Sequence, residues 1–158
     1  MKLPKEWLIK MSISFGSIKK WFVEEGATTT PEFWSKISHF HPSEFDSPDK
    51  LGSGFRMDPI LIFKLDEIRK ALGYPLFVTS GYRTKEHNEY LKNKGYSASP
   101  DSAHLSGLAV DLSCTNNVLR FDIVDLALGQ GIRRIGVAKT FVHLDIDLTK
   151  PKDRLWLY

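Results

Sequence analysis

The sequence has very little cysteine, and it contains no long apolar run, no internal repeat and no low-complexity tract. The single cysteine, Cys114, excludes an internal disulfide framework and a zinc site built from four thiolates. No stretch approaches the roughly 20 apolar residues that a membrane-spanning helix needs. We therefore expect no membrane span and a fold that depends on a buried apolar core.

The charge of the chain is only slightly unbalanced. The formal net charge is +3 over 158 residues, and the basic residues are scattered. This is too mild to predict a nucleic-acid partner, although it favours approach to an anionic polymer such as a bacterial cell wall. The length suits one compact domain, which we expect to be a monomer.

The N-terminal part of the chain predicts an amphipathic helix over residues 6–25. Glu6 and Lys10 interrupt its apolar residues and no small-residue cleavage site follows, so we do not interpret it as a signal peptide. A protein made in the cytoplasm with nothing in the chain to export it is the expectation. We place the division between a helical appendage, residues 1–38, and the main domain, residues 39–158, where a Pro- and Gly-rich stretch begins.

The main domain alternates helical and strand-like patterns. Asp58 and Thr84 are placed to cap two helices, Gly73 ends the first, and residues 119–128 predict a third. The strand-like stretches are "YPLFVTSGY", "GLAVDLS", "IRRIGVA" and "TFVHLDID", the last two forming a hairpin around Lys139. We predict an α+β fold with a small antiparallel sheet flanked by helices.

Polar side chains interrupt two of these strands. In "TFVHLDID", His143 alternates with apolar residues, and in "GLAVDLS" Asp111 does the same. If the strands pair, both side chains share one face, and His104 lies on the loop just before. Two imidazoles and one carboxylate suit Zn²⁺, with a fourth position left for water as in catalytic zinc sites. The alternative for each residue alone is an ordinary hydrogen-bonded polar side chain.

The segments "SGYRTKEHN", "SAHLSGLAVDLS" and "FVHLDID" resemble the signature of the M15 family of zinc peptidases, which share a fold with the hedgehog signalling domain. The family pattern S-x-H-x-x-G-x-A-x-D maps without a gap onto Ser102 to Asp111, and the later histidine maps onto His143. The resemblance covers about residues 39–150. It implies a hedgehog-like fold and a single Zn²⁺ on His104, Asp111 and His143.

The resemblance also implies roles for residues around the metal. Arg83 stands where the family has an arginine that binds a substrate carboxylate or stabilises an oxyanion. Ser102 is a candidate for contacting the substrate or a metal ligand. The familiar general base before the last histidine is missing, since Thr140 and Phe141 stand there. Asp145 is the remaining candidate, either as the base or as a residue that orients a histidine ligand.

These features lead to an expected function and to one alternative. We expect a zinc peptidase that hydrolyses amide bonds in peptidoglycan stem peptides, as a D,D-carboxypeptidase or an endopeptidase. The cell wall would be its site of action, and a phage lysis or entry enzyme, delivered with the virion or released by a holin, would suit such a small domain. The alternative is a non-catalytic, metal-stabilised binding or structural module on the same fold.

Overall fold

The structure is a computed structural model that describes residues 26–158, so the helix predicted over residues 6–25 lies outside it. The α-helices are α1 (Pro31–Trp34), α2 (Pro59–Leu72), α3 (Lys85–Asn93) and α4 (Asn117–Gly129), and short 3-10 helices occupy Pro42–Phe45, Ser53–Arg56 and Ala103–Ser106. The strands are β1 (Val78–Ser80), β2 (Ala109–Ser113), β3 (Arg134–Val137), β4 (Phe141–Asp145) and β5 (Arg154–Leu157). Within residues 26–158, no helix combines the length and the apolar character needed to cross a membrane.

The five strands form one sheet in the order β1-β2-β4-β3-β5. The pairs β1–β2, β2–β4 and β3–β4 are antiparallel, which includes the predicted hairpin. Strand β5 was not predicted, and it pairs in parallel with β3. After β4 the chain reverses and returns along the outer edge of β3, so the sheet is mixed. The predicted α+β class is confirmed.

Local side-chain chemistry fixes where the helices begin. The Asp58 carboxylate accepts hydrogen bonds from the backbone N–H groups of residues 60 and 61, and the Thr84 hydroxyl accepts one from residue 87. Both are the predicted caps, and they satisfy N–H groups that have no partner inside the helix. The last helix, α4, begins earlier than predicted because Asn116 caps it at residues 118 and 119.

The core lies on one face of the sheet. Val110 and Leu112 of β2 and Val142 and Leu144 of β4 are fully buried, as the alternation in the sequence predicted. Helices α2 and α4 pack against each other, and α4 contacts β4 on this side. The polar residues of the same strands therefore face the opposite side of the sheet.

Part of the predicted appendage packs into this core. Trp34 and Ile37 are buried, and the Trp34 ring lies 5.7 Å from that of Phe45 and 6.5 Å from that of Phe55. The Trp34 indole N–H donates to the Thr29 hydroxyl at 2.9 Å. Residues 26–38 thus contribute apolar area to the main domain, and the division at residue 38 stays a prediction.

Gly107 lets the chain turn between the 3-10 helix Ala103–Ser106 and β2. Its φ is +70°, in the left-handed region, and a Cβ there would lie 2.1 Å from the Arg56 carbonyl oxygen. The Gly107 carbonyl also accepts a hydrogen bond from the backbone N–H of Asp58 at 2.9 Å. This close approach joins the cap of α2 to the segment that carries His104.

Gly107→Ala is expected to destabilise the fold much more than Gly73→Ala. Both glycines have a left-handed backbone conformation, so an alanine at either position costs roughly 1–2 kcal/mol in backbone strain. Only Gly107 lacks room for a Cβ, since Gly73 has nothing within 4 Å, and the forced backbone shift adds about 1–3 kcal/mol. Chemical denaturation would measure the difference. Equal losses in the two variants would contradict the close packing at Gly107.

Candidate metal centre and cleft

The polar face of the sheet forms the floor of an open cleft of about 620 Å³. All six residues singled out from the sequence line this cleft. They are Arg83, Ser102, His104, Asp111, His143 and Asp145. They come from the turn after β1, from the loop and short 3-10 helix before β2, and from β2 and β4, so the fold brings together residues up to 62 positions apart.

His104 is oriented so that one of its ring nitrogens, Nε2, faces Asp111 at the floor of the cleft. Its side chain is almost fully buried, and Nδ1 lies 2.7 Å from the carbonyl oxygen of Gly81. A carbonyl only accepts hydrogen bonds, so Nδ1 carries the proton and Nε2 is left with a lone pair. Nε2 has no hydrogen-bond partner among the described residues. An unpaired buried acceptor is costly unless a ligand satisfies it.

Asp111 and His143 face each other directly in the antiparallel register of β2 and β4. The Asp111 Oδ1 atom lies 2.8 Å from His143 Nδ1 and 3.4 Å from His104 Nε2. Ligand atoms of the three residues all lie within 4.8 Å of one another. The predicted set therefore converges on one point.

These distances fit a metal ion of the size and preference of zinc. Bonds of about 2.0–2.2 Å in a tetrahedron place two ligand atoms about 3.4 Å apart, the separation between His104 Nε2 and Asp111 Oδ1. The distance from Asp111 Oδ1 to His143 Nδ1, 2.8 Å, is shorter because these two atoms form a hydrogen bond. Its proton occupies the position that the metal would take. The donor set of two neutral nitrogens and one carboxylate oxygen suits zinc.

The electrostatics of the group follow from burial and mutual contact. Burial raises the pKa of Asp111, but the two imidazoles outweigh it and hold that pKa well below its usual range. Burial lowers the pKa of His104, so this ring is neutral and ready to donate its lone pair. Burial also acts to lower the pKa of His143, yet its hydrogen bonds to Asp111 and Asp145 raise it overall. A metal would therefore displace a proton from His143.

Arg83 contacts the metal-ligand group from the side of β1. Its Nη2 donates to Asp111 Oδ2 at 2.9 Å, and its Nε donates to the Ser80 hydroxyl at 2.8 Å. One carboxylate oxygen of Asp111 thus faces the histidines while the other is held by the guanidinium. Ser102 lines the cleft, and its hydroxyl makes no capping bond to the 3-10 helix that follows.

Asp145 contacts the other side of His143. Its Oδ2 lies 3.2 Å from His143 Nε2, and its Oδ1 accepts from Arg134 Nε at 2.8 Å and from the backbone N–H of Asp147 at 3.1 Å. The side chain is 2% exposed. The carboxylate therefore accepts a hydrogen bond from Nε2–H of His143 and leaves Nδ1 for the metal position, the pattern of a residue that orients a ligand.

The structure adds cleft residues that the sequence reasoning missed. Arg134 supports Asp145, while Trp156 and Tyr158 of the β5 segment line the cleft. A signal for them was available, since "RLWLY" alternates aliphatic and aromatic residues as strands do. Arg134 likewise alternates with Ile135, whose side chain is buried in the core.

Comparison with known proteins supports the metal centre. A family model described as Peptidase M15 matches residues 38–145, which include all six candidate residues. No curated protein gives a significant match to the chain. Strand β5 lies beyond the matched residues.

His104→Ala is expected to abolish stoichiometric zinc binding, because it removes one of three ligands and the unpaired buried acceptor. His87→Ala is the matched control, since His87 lines the same cleft but is not in the ligand group. Zinc is measured by elemental analysis after chelation and reloading, with thermal melting to verify folding. Full zinc retention by folded His104→Ala would refute the ligand assignment.

Proposed function

Because the chain belongs to the Peptidase M15 family, we propose that it is a zinc-dependent peptidase acting on the stem peptides of bacterial peptidoglycan. The observation that carries the proposal is the convergence of His104, Asp111 and His143, with an unpaired His104 nitrogen, on the floor of an open cleft. A ligand group that leaves one position open to the cleft is the arrangement of hydrolytic rather than structural sites.

The chemistry divides between the ion and the chain. Bound zinc supplies Lewis acidity, which polarises a carbonyl and lowers the pKa of water toward ~7. Arg83 supplies positive charge beside the group, where it holds Asp111 and is within the cleft that a substrate carboxylate or oxyanion would enter. Ser102, with a hydroxyl on the cleft wall, is the proposed hydrogen-bond partner of the substrate.

Asp145 has two proposed roles, general base and orienter of His143. Its contacts favour the orienting role, since both oxygens already accept hydrogen bonds and the side chain is almost fully buried. The base role needs a carboxylate oxygen within reach of the attacking water, on the cleft side of His143. Asp145 does line the cleft, so the base prediction stays open to test.

The charges of the cleft favour an anionic peptide. Three basic side chains line it, Arg83, Arg134 and Lys150, against the carboxylates of Asp111 and Asp145. A bound divalent cation would make the balance more positive. Stem peptides carry free carboxylates, which suits this field, and the mild positive net charge of the chain suits approach to the cell wall as the site of action. The bond cleaved could be D-Ala-D-Ala, L-Ala-D-Glu or a cross-link between stems.

Zinc-loaded protein is expected to release new fragments from purified sacculi and from defined muropeptides. Mass spectrometry identifies the cleaved bond from its products. Release of D-alanine, release of a stem peptide that lacks its first alanine, and separation of two cross-linked stems each give fragments of different mass. His104→Ala is the control for contaminating hydrolases. The fold of that variant is verified by melting.

Two other outcomes would contradict the proposal. Full zinc occupancy without any hydrolysis would leave the non-catalytic metal-stabilised module as the function. Cleavage of free D-Ala-D-Ala without cleavage of muropeptides would instead indicate a dipeptidase of the cell interior.

Asp145→Ala is expected to separate the two roles of this residue. If Asp145 orients His143, zinc affinity falls by about 10–100-fold together with activity. If it is the base, kcat falls by about 10²–10⁴-fold while zinc affinity is retained. Chelator competition measures zinc affinity independently of turnover.

Asp147→Asn is the matched control for this experiment. Asp147 follows two positions along the same chain segment, is similarly buried, and bonds to Thr149 rather than to His143. It is expected to retain zinc affinity and activity. Unchanged hydrolysis and zinc affinity in Asp145→Ala would remove Asp145 from both roles.

A further inference from the structure

Four strands place one residue each in a single row across the polar face of the sheet. The register pairs Asp111 with His143, His143 with Gly136, and Gly136 with Trp156. Residues paired in register point to the same face, so the row runs from the metal ligands on β2 and β4 to the aromatic ring on β5. Trp156 thus lies in line with the metal centre.

Gly136 leaves the space that the aromatic rings of β5 occupy. A Cβ at this position would lie 2.6 Å from Tyr158 Cε2 and 2.7 Å from Trp156 Cε2. These distances are far below van der Waals contact, so no other residue fits there without moving a ring. The rings therefore lie directly over β3 and extend toward His143.

The aromatic wall, which we define as Trp156 and Tyr158, borders the metal centre. The Trp156 ring centroid lies 5.5 Å from that of His143, and the Tyr158 centroid lies 6.4 Å from it. Arg134 lies over the Trp156 ring at 5.5 Å, and Phe141 contacts Tyr158 at 5.0 Å. The Trp156 side chain is half-buried and Tyr158 is exposed, so both rings keep surface open to the cleft.

We propose that the aromatic wall is a substrate-binding element, which packs against the uncharged part of the peptide on the β5 side of the metal centre. The proposal rests on the proposed peptidase function. Arg83 contacts the centre from the β1 side, and the wall lies on the β5 side with Arg134 stacked on Trp156. The cleft thus offers guanidinium groups for a carboxylate and ring faces for the uncharged part of the peptide. Aromatic faces bind amide planes and small apolar side chains with little loss of side-chain entropy.

Tyr158 adds a hydrogen-bond donor to this wall. Its phenol hydroxyl lies at the cleft and can donate a hydrogen bond to a carbonyl of the bound peptide.

Replacing Trp156 by alanine tests the proposal through binding rather than through turnover alone. Trp156→Ala is expected to raise KM for muropeptides roughly tenfold, with a smaller change in kcat and unchanged zinc affinity. Isothermal titration of the zinc-loaded protein with the peptide product of cleavage is expected to show the same loss. Tyr158→Ala is expected to act in the same direction.

Leu157→Ala is the matched control, since it lies between the two rings on β5 and is 78% exposed on the opposite face. It is expected to leave KM, product binding and zinc affinity unchanged. If thermal melting shows that Trp156→Ala destabilises the protein, Trp156→Leu is used in its place, because leucine keeps an apolar residue at this position of β5. Wild-type KM and product affinity in folded Trp156 and Tyr158 variants would overturn the proposal.

The failure of the wall and the failure of the peptidase function give different results. If muropeptides are cleaved equally well without Trp156, the substrate-binding role of the aromatic wall is refuted and the proposed peptidase function still stands. If the wild type cleaves nothing, titration with the intact stem peptide still tests the wall. Binding that Trp156→Ala weakens would then support a peptide-binding role, and absence of binding would overturn the wall as well.

Discussion

The shared carboxylate of Asp111 is the interaction on which the centre depends. One oxygen faces both histidines, at 2.8 and 3.4 Å, and the other accepts from Arg83 at 2.9 Å. Burying this charge without partners would cost several kcal/mol, and the three cationic or hydrogen-bonding neighbours offset that cost. The arrangement keeps the carboxylate ionised and aimed at the point where the histidine lone pairs meet.

Other contacts in the fold hold the two histidines that face this carboxylate in position. A carbonyl of the turn after β1 fixes the tautomer of His104, and Asp145 fixes the orientation of His143 while Arg134 fixes Asp145. Gly107 brings the loop that carries His104 against the cap of α2. The ligands are therefore positioned before any metal arrives, which lowers the entropy lost on binding.

Much of the fold and of the centre could be predicted from the sequence. The alternation in two strands placed His143 and Asp111 on one face, and the caps of α2 and α3 followed from Asp58 and Thr84. Strand β5 could not be placed in the same way. The alternation in "RLWLY" is typical of a strand, but Leu155 and Leu157 are exposed, so the pattern marks no core face. The parallel pairing of β5 depends on where the preceding turn returns the chain.

The row across the sheet separates two tasks that many active sites combine: holding the metal, at its inner positions, and the proposed contact with substrate, at its outer position. Its inner positions belong to strands paired on both sides, so a change there disturbs neighbours in two directions. Its outer position belongs to β5, which has β3 as its only neighbour in the sheet of residues 26–158. An edge strand tolerates substitution more readily than a central one. A lineage of such proteins could therefore vary what it recognises at the rim while the chemistry at the centre stays constant.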